Sequence, residues 1–215
     1  MVEYITPIRS MDEFLIDYSL VWYPMKLLEY SVNRKKYRFL FDAYLAKKIG
    51  KDDVYVLLIR NPKNFQFSPK KPFEGLELNH IVTGEEILQS LLAFRRRIDK
   101  IEAELYGDLL SDQAKLAIGS GLLFVPPQKL REYDAKSLYY SSILMAKEIL
   151  RKIGFKKGYE TATLLGEKNV YYPLLLSASL DEVIEIGLTN EPSRSLTELL
   201  KIEDVRKIFV EILSR

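Results

Sequence analysis

The 215-residue sequence predicts an α+β fold that is helix-dominated, with long amphipathic helices around a small mixed or antiparallel sheet. Three observations carry that expectation. Capping-box patterns, a hydroxyl followed three residues later by an acid, stand at Ser10–Glu13, Thr83–Glu86, Ser179–Glu182 and Ser195–Glu198. A heptad seam runs through Ile87, Leu91, Phe94, Ile98, Ile101 and Leu105. Strand-like runs are few, and no regular strand–helix–strand alternation connects them.

In chain order, a first helix is expected from about Met11 to Trp22, with Pro24 interrupting or restarting it. A second is expected within "NRKKYRFLFDAYLAKKIG", residues 33–50. Tyr37, Leu40, Phe41, Tyr44 and Leu45 recur there at helical spacing, Lys47 and Lys48 suit a last turn, and Gly50 suits a stop. Phe39 resists that reading, because it projects from the opposite side, near Lys35, Arg38 and Asp42. "DVYVLLIR", residues 53–60, is apolar on both parities and reads as a well-covered strand. The proline-rich basic stretch 61–75 reads as a loop with one short edge strand, and Leu76–Val82 alternates as a strand.

Glu85–Tyr106 is the strongest helix, since about 22 residues at 1.5 Å each reach roughly 33 Å. Arg95–Asp99 and Lys100–Glu104 have ion-pair spacing on its flanks. Such a helix forms the spine of the fold or packs against a copy from another chain. Beyond it come a short helix, a turn at Gly119–Gly121, a strand "LLFVPP", and a helix from about Ala135 to Ile153 stopped by Gly154. A hairpin is expected over 162–176, turning at Glu167–Asn169, followed by helices near Leu180–Ile186 and Leu196–Leu213 with Pro192 between them. One domain over 1–215 accounts for the length, and a subdivision near 107–120 is permitted but not required.

Composition narrows the class. With 47% hydrophobic and 29% charged residues the chain can bury a core rather than stay disordered. A net charge of +2 gives no global attraction to nucleic acid, so only a local patch could supply it. No apolar run reaches the roughly 20 residues that span a bilayer. The opening "MVEYITPIRSMDEF" lacks an apolar signal core, so a cytoplasmic location and no membrane partner are expected. The absence of cysteine excludes disulfides, thiolate metal sites and cysteine nucleophiles. Together with scarce Asn and Gln it fits a protein of a thermophile.

Chemistry-bearing patterns are sparse. Neither GxxxxGK[ST] nor a GxGxxG after a strand occurs. The single histidine, His80, cannot make a histidine-rich metal site and reads as a structural residue near a strand edge. Asp134-Ala-Lys136 matches the acid-x-Lys piece of metal-dependent nucleases, in which carboxylates hold Mg²⁺ and lysine steadies the phosphate. The nuclease pattern wants that acid on a strand beside a second acidic strand, and Asp134 is better explained as the cap of the helix beginning at Ala135. Glu74, Glu77, Glu85 and Glu86 read as solvated acids, the last two at a helix N-terminus. No catalytic residue, metal ligand or cofactor is assigned.

The basic clusters carry the functional expectation. They are Arg34, Lys35, Lys36 and Arg38; Lys70 and Lys71; Arg95, Arg96 and Arg97; and Arg151, Lys152, Lys156 and Lys157 beside Phe155 and Tyr159. The last combines cations, glycines and aromatics, a composition suited to phosphates and stacked bases. Arg34, Lys35, Arg38, Arg151, Lys152, Lys156 and Lys157 are therefore the expected nucleic-acid contacts, and the seam Ile87–Leu105 the expected interface. The function expected is a non-enzymatic subunit or interaction protein of a nucleic-acid-processing assembly, with DNA or RNA and a protein partner or second copy as partners. The alternatives are a metal-dependent nuclease or other phosphate-handling enzyme around Asp134 and Lys136, and a homodimeric structural protein without nucleic-acid contact. What separates them is whether cations from distant segments meet on one surface.

Overall fold

A computed structural model describes residues 2–7, 17–108, 143–186, 191–192 and 194–214. Its organising feature is a ribbon of two long antiparallel strands, β2 (Tyr18–Val32) and β6 (Ala162–Ser177), not a set of helices. They pair along their whole length, from Tyr18 opposite Ser177 to Val32 opposite Ala162, with one bulge between Glu29 and Tyr30. At about 3.3 Å per residue, 15 residues reach roughly 50 Å, long enough for each strand to serve different neighbours at its two ends.

The outer edge of β2 carries β3 (Lys35–Asp42), antiparallel, and then β5 (Leu76–Glu77), parallel. The outer edge of β6 carries β1 (Val2–Ile5), parallel, and then β7 (Val183–Glu185), antiparallel. β4 (Phe67–Ser68) adds to β1 and β8 (Glu191–Pro192) to β7, giving a curled mixed sheet of eight strands. Helices α1 (Leu45–Ile49), α2 (Asp53–Leu57), α3 (Gly84–Asp108), α4 (residues 143–152), α5 (Arg194–Leu200) and α6 (Glu203–Leu213) pack around it.

Both ribbon strands contain a proline, and in each case it falls where the outer partner changes. The Pro24 carbonyl faces the outer edge, accepting from Ala43 N, so the missing N–H of Pro24 lies between the end of β3 and the start of β5. Pro173 repeats the device on β6: its carbonyl accepts from Ile186 N, between the pairings with β1 and β7. Neither proline removes a ladder bond, which is why a strand accommodates both.

Alternate residues of the ribbon enter two cores. Val21, Tyr23, Met25, Tyr172 and Leu174 belong to the main core, whereas Leu20, Trp22, Tyr171 and Leu175 form a smaller one with Ile184 and Ile186. A sheet covered on both faces reads as a continuous apolar run. Such a run does not announce its period, so several expected elements are corrected.

The helix-dominated fold with a small sheet is overturned, and "helical" is not the right description of this chain. Trp22 lies in β2 rather than at the end of a helix. Residues 35–42 are β3, with Tyr37, Phe39 and Phe41 on one face opposite Tyr30, Leu28 and Lys26. Phe39, out of place on a helix, is in phase on a strand. The helix reading survives only in α1, which Gly50 closes with φ 66 after Lys47 and Lys48. Conversely, residues 53–57 form α2, a helix whose first four residues are buried, rather than a strand. Residues 162–176 run straight through the expected hairpin turn, and Val183–Glu185 is a strand where a helix was expected. Only Leu76 and Glu77 of the expected strand 76–82 are paired.

Other expectations hold in place. The helix expected over Glu85–Tyr106 is α3, begun by a complete capping box: Glu86 N donates to Thr83 Oγ1 at 3.2 Å and Thr83 N to Glu86 Oε2 at 2.8 Å. Helix α4 stops at Gly154, whose φ is 104. Ser179 instead donates to Asp181 in a loop, and the region 194–213 is two helices, α5 and α6. The capping box at Ser10–Glu13, the Gly119–Gly121 turn, "LLFVPP", Asp134, Lys136 and nearly all of the boundary region 107–120 lie outside the described residues. Among the described residues no helix is long and apolar enough to cross a membrane.

Candidate nucleic-acid interface

The tip of the β2–β3 hairpin is a two-residue turn, Asn33 and Arg34, with φ of 49 and 66. Positive φ at both positions is what a tight right-twisted hairpin requires, and Asn-Gly is the favoured pair. Arg34 occupies the glycine position, where an L side chain is strained. Beyond the turn, Lys35 and Tyr37 share one face of β3, and Lys36 and Arg38 the other.

The segment after α4 is pressed against this hairpin. Tyr30 OH donates to the Ile153 carbonyl at 2.7 Å, and the Tyr30 ring stacks on both Tyr37 and Phe155. Gly154 lies so close to the Tyr37 ring that a Cβ there would meet it at 2.6 Å. Glu160, itself 8% exposed, completes the join. One of its carboxylate oxygens accepts from Asn33 Nδ2 and the other from Lys157 N, each at 2.9 Å. A single carboxyl thus ties the residue before Arg34 to the residue after Lys156.

Helix α3 meets the same place. Arg96 Nε donates to the Gly158 carbonyl at 2.8 Å, and Asp99 accepts from Gly158 N with one oxygen and from Arg95 Nη2 with the other. Arg95 is buried, and among the described residues its Nε and Nη1 have no hydrogen-bond partner. Arg97 lies over the Phe94 ring at 5.0 Å.

Three of the basic clusters, far apart in sequence, therefore meet at one end of the ribbon. The acids there are already engaged. Glu160 and Asp99 hold backbone, Glu29 pairs with Arg38 at 3.1 Å, and Glu148 pairs with Arg151 at 2.9 Å, raising the Arg151 pKa by hydrogen bonding and charge. No ion pair neutralises Arg34, Lys35, Lys36, Lys152, Lys156 or Lys157 among the described residues. Lys35 instead sits 5.6 Å from the Tyr37 ring centroid, and Lys157 5.5 Å from that of Tyr159. Hydrogen bonding to the Tyr159 phenol holds the Lys157 pKa above its ordinary value. Of the two aromatics in this segment, Phe155 is wholly buried and Tyr159 is 77% exposed.

The remaining candidates lie elsewhere. Ile87, Leu91, Phe94, Ile98 and Ile101 are buried in this chain's own core, and the Leu105 side chain lies outside the described set. Lys71 pairs with Glu77 at 2.9 Å, away from the basic end. His80 bridges the ribbon, its Nε2 within 3.1 Å of both the Met25 and Val170 carbonyls, and burial lowers its pKa. Glu86 serves the capping box and Lys47. Among the described residues no group of three or more His, Asp or Glu is placed to hold a metal ion.

Sequence reading found the cations but not what gathers them. Asn33 and Glu160 are 127 residues apart, and neither belongs to any motif. Asn33 is a residue type that tolerates the positive φ of a tight turn, a local signal only. No protein-family model matches this chain, and no curated protein and no solved structure shows significant similarity to it.

Proposed function

We propose that the chain is a non-enzymatic subunit or interaction protein of a cytoplasmic nucleic-acid-processing assembly, contacting phosphate backbone through this basic end. The observation that supports the reading is the shared Glu160 carboxyl, which holds the hairpin carrying Arg34–Arg38 against the segment carrying Arg151–Lys157. Cations presented from several anchored backbones, six of them outside any ion pair among the described residues, outnumber Glu29, Asp99, Glu148 and Glu160 beside them and form a local field that a net charge of +2 conceals. Phosphates entering that field release counterions, and affinity then depends steeply on salt.

Titration of labelled DNA and RNA oligonucleotides over a salt series tests this. Log Kd is expected to rise linearly with log salt, with a slope corresponding to several displaced counterions. A flat dependence, or no binding at about 50 mM salt, would remove the reading.

A further inference from the structure

We propose that this end selects single-stranded over duplex nucleic acid, with the Tyr159 ring as the platform on which an unstacked base lies. The inference rests on the phosphate-contact reading above and adds the class of ligand. Tyr159, at 77% exposed, is the most exposed of the large apolar and aromatic side chains among the described residues. Its ring adds nothing to the core, since Phe155 fills that role against Tyr30.

The ring is nonetheless not on a loose loop. Gly158, before it, donates to Asp99 and accepts from Arg96; Glu160, after it, is buried and bonded to Asn33. The backbone is anchored on both sides and carries the side chain outward between two fixed points. Gly158 is needed for this approach, because a Cβ there would meet Arg96 Cγ at 2.6 Å. The backbone's share of the ordering entropy is thus settled before a ligand arrives. Lys157 lies over the ring, so a base stacked on Tyr159 sets its own backbone beside cations of the same segment.

Duplexes and single strands use such a surface differently. In a duplex the base faces are covered by their neighbours, leaving only phosphates for the cations. A single strand offers both phosphates and open base faces, and aromatic stacking accepts any base. An exposed ring beside cations that are outside any ion pair among the described residues therefore favours the single strand.

Fluorescence anisotropy with a labelled oligothymidylate and a duplex of equal length tests the proposal on the full chain. Tyr159→Ala is expected to weaken single-strand binding on the order of 5- to 150-fold, the range that base–aromatic stacking spans, and to change duplex binding less than about twofold. Tyr159→Phe keeps the ring and is expected to keep the affinity. Equal losses on both probes, or no loss on either, would overturn the stacking role. Lys152→Ala with Lys156→Ala should weaken both probes; if it does while Tyr159→Ala does nothing, phosphate contact stands and strand selection falls. Absence of binding by the unaltered chain overturns both.

Discussion

The two ends of the β2–β6 ribbon treat charge in opposite ways. Around Tyr23 and Tyr172 the polar groups are buried and mutually satisfied. Asp42, fully buried, accepts from Tyr23 OH and from the backbone N–H groups of Tyr44, Leu45 and Ala46, and so caps α1. Burial raises its pKa against those donors. Arg60 pairs with Glu185 through Nη2 at 2.5 Å and Nε at 3.2 Å, and Tyr172 OH donates to the same carboxylate at 2.8 Å. Burial pulls the Arg60 pKa down, but the Glu185 charge more than restores it. Around Tyr30 and Ala162, by contrast, the acids hold backbone or pair with Arg38, Arg95 and Arg151, while several other cations are exposed and outside any ion pair among the described residues. Charge at the first end serves the fold; at the second it is what the proposed phosphate contact would use.

Altering the first end should therefore cost stability and spare binding. Asp42→Ala strands four donors in the core and should destabilise by about 3–5 kcal/mol, as read by denaturant unfolding. Oligonucleotide affinity of the folded fraction should be unchanged. Loss of affinity without loss of stability would erase the distinction between the ends.

The second end should show the reverse. Arg34 holds a conformation in which glycine is unstrained, so Arg34→Gly should stabilise the chain by about 1 kcal/mol while weakening oligonucleotide binding. A local rule broken at a proposed binding residue is where such a trade-off is expected. A variant that is less stable, or that binds as well as before, would separate the strain from function.

The smallest effect belongs to the capping box. Backbone hydrogen bonding from Thr83, then Lys47, lowers the Glu86 pKa to about 2. Its folded-state value lies below the ordinary 4.5, so its stabilisation is full above that pH and fades as pH falls toward about 2. Glu86→Gln should therefore cost about 0.5–1 kcal/mol near neutrality, limited by exposure, and almost nothing near pH 2. A cost that persists in acid would mean the charge is not what caps α3.

How much of this was legible follows from which residues carried a period. α3 announced itself because its seam is buried on one side only and its capping box is local. The ribbon did not, because β2 and β6 are covered on both faces and each holds a proline that normally argues against a strand. β3 was legible in Phe39, whose parity with Tyr37 and Phe41 fits a strand and no single helix face. The cations of the basic end were visible one cluster at a time. Their assembly was not, since Glu160, Asn33 and Asp99 act through contacts across the fold.

The most direct measurement is the salt slope of single-strand binding for two double variants, Arg34→Ala with Lys35→Ala on the hairpin and Lys152→Ala with Lys156→Ala after α4. Each is expected to lower the slope by about 0.7 per cation removed, with the two reductions adding in the combined variant. A slope that responds to one pair and ignores the other would show that the two segments, though joined through Glu160, do not act as one surface.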